Sequence, residues 1–146
     1  MKIKFLLIFL IGHTINATAA RIDTLKIMSP SMQKIIPNLV IIPDSYSASA
    51  KKYPVLYLLH GATDDYKGWV TKVPSIKSYA DQYNFIIVCP DGGYTSWYFD
   101  SPIDKQMQYE TYISKELVGT IDHKYNTLAQ KRGRAITGLS MGGHGA

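Results

Sequence analysis

The sequence has 146 residues, 46% of them hydrophobic and 18% charged, with a formal net charge of +5. That length fits one domain or part of one, and the composition is that of an ordinary globular protein. No run of Lys and Arg interleaved with aromatics forms a basic stripe, which excludes the usual pattern of nucleic-acid binding.

Residues 1–20 carry the pattern of a secretory leader. Lys2 and Lys4 supply its positive start, residues 5–11 an unbroken apolar run, and Ala17-Thr18-Ala19 an A-x-A cleavage pattern. The run falls far short of the ~20 residues that span a bilayer, so a retained membrane helix is not expected. Cleavage after Ala19 or Ala20 is expected, with export to a periplasm or to the outside of the cell.

Residues 24–28 alternate in polarity, and residues 34–42 are dense in Ile, Leu and Val. Ser29-Pro30-Ser31 between them predicts an antiparallel pair. Pro37 argues that the second strand is an edge or carries a bulge. Residues 43–52 read as a polar loop. Residues 53–59 are continuously apolar, as a strand covered on both faces requires, and they end at His60-Gly61-Ala62-Thr63. Residues 64–74 read as loop, and Ser75 is placed to cap a short helix over 76–82.

Residues 85–89 form the next buried strand, stopped by Pro90-Asp91-Gly92-Gly93. Cys89, the one cysteine of the sequence, is expected to be a buried structural thiol, with no disulfide framework and no Cys-based zinc site. Residues 94–106 make a long loop rich in aromatics. Residues 109–125 read as a helix with Ile113, Leu117, Val118 and Ile121 on one face. A polar connection over 126–133 leads to a short strand over 134–137. The order is that of an α/β sheet that becomes parallel after its opening strands.

Gly138-Leu139-Ser140-Met141-Gly142 is a G-x-S-x-G motif. It follows an apolar run containing Ile136 and Thr137 and precedes small residues, which is the strand–turn–helix setting of a nucleophile elbow. Side chains at Gly138 and Gly142 would collide with neighbouring backbone. Ser140 is therefore the candidate nucleophile, and the amide of Met141, at the start of the following helix, faces where an anion is favoured.

The other candidates weigh less. His144 follows Ser140 too closely to act as its base, which must approach from a separate loop; packing or capping is expected. The His60 ring is expected to brace its loop, and His123 to sit solvated near a helix end. Asp64 and Asp65 read as loop-capping residues rather than metal ligands. Trp97 and Tyr98 either line a substrate pocket or pack beneath their loop. Asp91 and Asp100 precede the serine, the wrong order for the acid of this type of site.

Four motifs carry a wider resemblance: Y-L-L-H-G at 57–61, D-D-Y-K-G-W at 64–69, S-W-Y at 96–98 and G-L-S-M-G-G at 138–143. Together they resemble the secreted "putative esterase" branch of the α/β-hydrolases, over residues 53–146. That branch holds feruloyl and acetyl-xylan esterases, S-formylglutathione hydrolases (esterase D) and the antigen 85 mycolyltransferases. The resemblance implies an α/β-hydrolase fold and a serine carboxylesterase without metal or cofactor. It assigns one oxyanion donor to the amide of Met141 and the other to the amide of Ala62. Two such amides are worth about 3–4 kcal/mol each to catalysis.

The family's histidine and acid would follow the serine. The sequence is therefore expected to be the N-terminal part of a mostly parallel, doubly wound sheet, truncated just after the elbow and inactive alone. On this reading residues 21–146 form an incomplete esterase domain. The expected substrate is a carbohydrate ester or a small acyl ester, with the oligomeric state open. Acyl transfer to a sugar is the alternative chemistry. It is weakened because His60 and Thr63 stand where the mycolyltransferases carry an Asp and an Arg. A truncated, non-catalytic protein that binds carbohydrate or a partner is the alternative of a different class.

Overall fold

The computed structural model describes residues 19–47 and 51–146. Apart from Ala19 and Ala20, the leader pattern lies outside the described residues. Five strands form one sheet: β1 (Arg21–Ser29), β2 (Lys34–Ile42), β3 (Val55–Leu59), β4 (Ile86–Pro90) and β5 (Arg134–Gly138), in the spatial order β1-β2-β4-β3-β5. β1 and β2 are an antiparallel hairpin running from Arg21 opposite Ile42 to Ser29 opposite Lys34. β2 meets β4 antiparallel, while β3 is parallel to both β4 and β5. The expected change from antiparallel opening strands to a parallel sheet is present.

The chain goes from β3 to β4 on one side and then crosses to β5 on the other. β3 is thus where the strand order reverses, and the carboxyl ends of β3 and β5 flank a crevice of the kind where open α/β sheets place their ligands.

The central strands β2, β3 and β4 are covered on both faces while β5 is largely exposed, and alternation along the strands sorts the side chains. Val40, Tyr57 and Val88 turn to one layer with Tyr112, Leu117 and Ile121. Leu39, Ile41, Leu58 and Ile87 turn to the other with Ile76 and Ala80. Each such buried aliphatic side chain contributes roughly 1.5–3 kcal/mol relative to exposure. The first layer comes from a continuous helical segment: α3 (Tyr109–Thr111), a π-helical stretch (Tyr112–Leu117) and α4 (Val118–Lys124). Asn38 and the Tyr112 hydroxyl, both buried, bond each other and anchor that stretch to β2.

Three expectations need correction. Pro37 is neither at an edge nor at a bulge. β2 has a neighbour on each side, and its register against β1 is unbroken through Pro37 opposite Lys26. The proline is tolerated because the ladder to β4 begins one residue later, at Asn38 opposite Pro90. Its carbonyl still accepts the Asp91 amide at 3.0 Å, and its missing N–H falls where that strand has ended.

The stretch read as loop over 64–74 contains a short helix, α1 (Gly68–Lys72). It is held by the Lys72 ammonium on Asp64 at 2.6 Å. The indole N–H of Trp69 also donates to the Leu59 carbonyl at 3.0 Å. The helix over 76–82 is α2 (Ile76–Tyr83), and Ser75 precedes it without a side-chain cap bond.

Candidate active site

β5 ends at Gly138, and α5 (Met141–His144) begins after a single sharp turn. Ser140 makes that turn at φ 53° and ψ −116°, a conformation that L residues avoid. Such a backbone costs about 1–3 kcal/mol and persists only where its surroundings enforce it. Here close backbone contact does so. A Cβ on Gly138 would lie 2.5 Å from the carbonyl carbon of Gly142, and one on Gly142 would lie 2.5 Å from the Leu59 oxygen. The turn closes with Gly142 N–H on Leu139 O at 2.8 Å and His144 N–H on Ser140 O at 3.1 Å. Ser140 is exposed.

The turn after β3 lies against this elbow. A Cβ on Gly61 would stand 3.6 Å from the Cβ of Ser140 and 3.4 Å from the Leu139 oxygen. The structure therefore brings together two motifs far apart in the chain, His60-Gly61-Ala62 and Gly138-Leu139-Ser140. Thr63 follows in the left-handed region (φ 67°), its amide bonded to the Tyr94 carbonyl at 2.8 Å. Among the described residues no hydrogen bond uses the amide of Ala62 or that of Met141.

His60 is buried at 1% exposure, and its ring is committed on both nitrogens. The Gly92 amide donates to Nε2 at 2.8 Å. A backbone N–H can only donate, so Nε2 is unprotonated. The proton is on Nδ1, 2.7 Å from the Gly61 carbonyl. That carbonyl and the Ala62 amide belong to one trans peptide and point in opposite directions. Drawing the oxygen toward His60 turns the Ala62 N–H the other way.

The aromatic loop completes the surroundings. Tyr98 is buried, and its hydroxyl accepts the His60 amide at 3.0 Å and donates to the His60 carbonyl at 3.2 Å. Burial raises its pKa well above the ordinary tyrosine value, so it keeps its proton. Ser96 ties the loop down by donating to the Gly92 carbonyl and accepting the Tyr98 amide. Trp97 and Tyr98 both have positive φ, near 55°. Trp97 is half exposed, its ring edge-on to His144 at 5.5 Å, and its carbonyl bonds the His144 Nδ1 at 2.9 Å.

The three acidic residues weighed beside the loops are occupied by structure. Asp65 accepts the Lys67 amide, and Asp91 accepts the Gly93 amide. Asp100 holds both the amide and hydroxyl of Thr111 at the start of the long helical segment. His123 is exposed in the last turn of α4. Cys89 is buried, and desolvation pushes its thiol up to about 12.

A cleft of about 100 Å³ beside the elbow is bordered by Gly61, Asp64, Trp69 and Leu139. A larger groove of about 410 Å³ runs along β5 and is lined by Tyr57, Ile113, Val118, Arg134 and Ile136. It does not include Ser140. In this groove the Tyr57 hydroxyl and Arg134 Nε are buried without a partner among the described residues.

Sequence reasoning missed the two hydrogen bonds from Tyr98 to the His60 backbone and the ring contacts that set the His60 tautomer. The signals available were indirect: Gly92 and Gly145 both sit where a Cβ would strike the Tyr98 ring.

A sheet that reverses order at β3, with a strained serine turn on the next parallel strand, is the architecture of an α/β-hydrolase. Residues 29–146 match the "Putative esterase" family, and the chain belongs to it. Esterase Rv1288 of Mycobacterium tuberculosis is 37% identical over 110 residues, which cover 73% of this chain and 24% of that protein. The diacylglycerol acyltransferase/mycolyltransferase Ag85A of the same species is 32% identical over 129 residues, covering 82% of this chain and 36% of that one. A solved ferulic acid esterase superposes with a TM-score of 0.76 at 33% identity, covering 87% of this chain and 51% of that one. The chain thus spans between about a quarter and a half of the length of these relatives.

Proposed function

We propose that the full-length protein is an exported serine carboxylic-ester hydrolase. The observation that carries this reading is the approach of the Gly61 turn to Ser140, with two amides, Ala62 and Met141, left without acceptors among the described residues. Ser140 Oγ attacks the ester carbonyl, and the two amides hold the oxyanion of the tetrahedral intermediate. The alcohol leaves, and water releases the acid from the acyl-serine. A histidine base and its orienting carboxylate come from the rest of the full-length protein.

The substrate is a carbohydrate ester or a small acyl ester, and the exposed indole of Trp97 flanks the acyl or aryl group. The likeness to the ferulic acid esterase supports this substrate class. No metal or organic cofactor takes part. Export rests on the leader pattern. Among the described residues no helix is long and apolar enough to cross a membrane.

The likeness to Ag85A favours a second reading, in which a sugar hydroxyl rather than water takes the acyl group. Both readings share the acyl-serine, and product analysis with and without acceptor sugars separates them.

The test is labelling of the full-length protein with a fluorophosphonate probe. Ser140 is expected to take the label, and Ser140→Ala to abolish it and lower kcat by roughly 10⁵–10⁶-fold. Equal labelling of the Ser140→Ala variant would sink the proposal. His144→Ala is expected to keep activity within about ten-fold, because that ring serves Trp97 and not the serine.

A further inference from the structure

The leader pattern admits two cleavage points, after Ala19 or after Ala20, and the fold separates them. Ala20 is buried at 4% exposure. Its methyl belongs to the second core layer, with Leu39, Ile41, Ile76 and Ala80. Its amide donates to Oδ2 of Asp81 at 3.0 Å, while Oδ1 of the same carboxylate takes the Asp44 amide at 2.8 Å. Ala19, one residue earlier, is exposed. A cut after Ala20 would delete a core residue and strip one oxygen of Asp81 of its partner. A cut after Ala19 keeps both, and it places Ala17 and Ala19 at the two small-residue positions that leader cleavage requires.

We propose that processing cuts between Ala19 and Ala20, and that the new α-ammonium of Ala20 docks on the Asp81 carboxylate. This rests on the reading that the protein is exported. The step is a hydrolysis by a leader peptidase. The Ala19–Ala20 amide bond breaks, and water supplies hydroxyl to the Ala19 carbonyl carbon and a proton to the Ala20 nitrogen. A second proton from solvent makes the ammonium. The cut is made on the unfolded chain during export, and folding then buries the new terminus. The existing bond, already charge-assisted by the carboxylate, gains a charged donor and becomes an ion pair. Asp81 then ties the first residue of the mature chain to the end of β2 through one carboxylate.

The experiment is intact mass with N-terminal sequencing of the full-length protein recovered after export from its host. Ala20 is expected as the first residue. Arg21 or any other first residue overturns the inference while leaving export standing. A product that still begins at Met1 overturns the inference and the export reading together.

Native-state acylation of the α-amine tests the docking itself. The wild-type terminus is expected to react at least ten-fold more slowly than the same terminus in Asp81→Asn or in urea. Equal rates in the native and urea-unfolded wild type overturn the docking, and that comparison holds even if Asp81→Asn does not fold.

Discussion

The Tyr98 hydroxyl bonds both backbone groups of His60, accepting its amide and donating to its carbonyl. One phenol thereby fixes the residue whose ring in turn aims the Gly61–Ala62 peptide. The hold is indirect: Tyr98 orients His60, and His60 orients the amide proposed to receive the oxyanion.

Tyr98→Phe keeps the ring but leaves the buried N–H and C=O of His60 unpaired. Leaving such groups unsatisfied costs about 1–3 kcal/mol. Urea unfolding of the full-length protein is expected to show a loss of that size, with kcat/KM down roughly ten-fold.

His60→Ala acts on the peptide itself. The Gly61 carbonyl loses its Nδ1–H donor, and the Ala62 amide loses its aim. Losing an oxyanion donor typically lowers kcat by about 10²–10³-fold. A fall toward that range with KM nearly unchanged is expected. An unchanged kcat would show that Ala62 holds its direction without the imidazole.

The two glycines after Met141 separate cleanly. A methyl on Gly142 would meet the Leu59 carbonyl at 2.5 Å, whereas one on Gly143 would stand 3.5 Å from the Gly138 carbonyl, an ordinary contact. Gly142→Ala is expected to cost at least about 1–3 kcal/mol by overpacking and to distort the serine turn. Gly143→Ala is expected to fold and turn over near wild type. Thermal melts and ester hydrolysis on the pair check this.

Gly119 sits within α4, and a methyl added there would find nothing within 4 Å, so Gly119→Ala meets no obstacle. Removing a helix-interior glycine is worth roughly 0.5–1 kcal/mol. A rise in Tm of about 1–4 °C is expected for a domain of about 150–250 residues.

Alkali should unfold the protein before its buried phenols ionise. Burial raises Tyr109 to about 12 and Tyr98 and Tyr112 further. An unfolded tyrosine loses its proton near 10. Above that pH the unfolded state sheds protons that the native state keeps, so stability falls as pH rises. Stability is expected to be flat with respect to these groups below about pH 10 and to decline toward pH 12. Denaturant midpoints, read beside phenolate absorbance, check the sign.

Much of this was legible because it is local. β3 and β4 are unbroken apolar runs, and the elbow is a motif whose glycines have one steric reason. Pro37 misled because its tolerance depends on where a different strand, β4, happens to end. α1 was invisible because a five-residue helix has no periodicity to read; the Asp64–Lys72 pair and the Trp69 bond stabilise it from outside. Thr63, Trp97 and Tyr98 take positive φ without being glycine, so nothing in their identity announces the turn. The Tyr98–His60 contact joins residues 38 apart in sequence, and only the fold creates it.

Within these 146 residues, the deep burial of Cys89 opens a route to site-specific spectroscopy. A thiol pushed up to about 12 and walled in by Leu39, Ile87 and Ala80 offers maleimide reagents nothing to attack at neutral pH. Ile103, 91% exposed on the aromatic loop, can be exchanged for cysteine and become the reactive thiol of this stretch. A fluorophore there would report movements of that loop during turnover, with no background from the native cysteine.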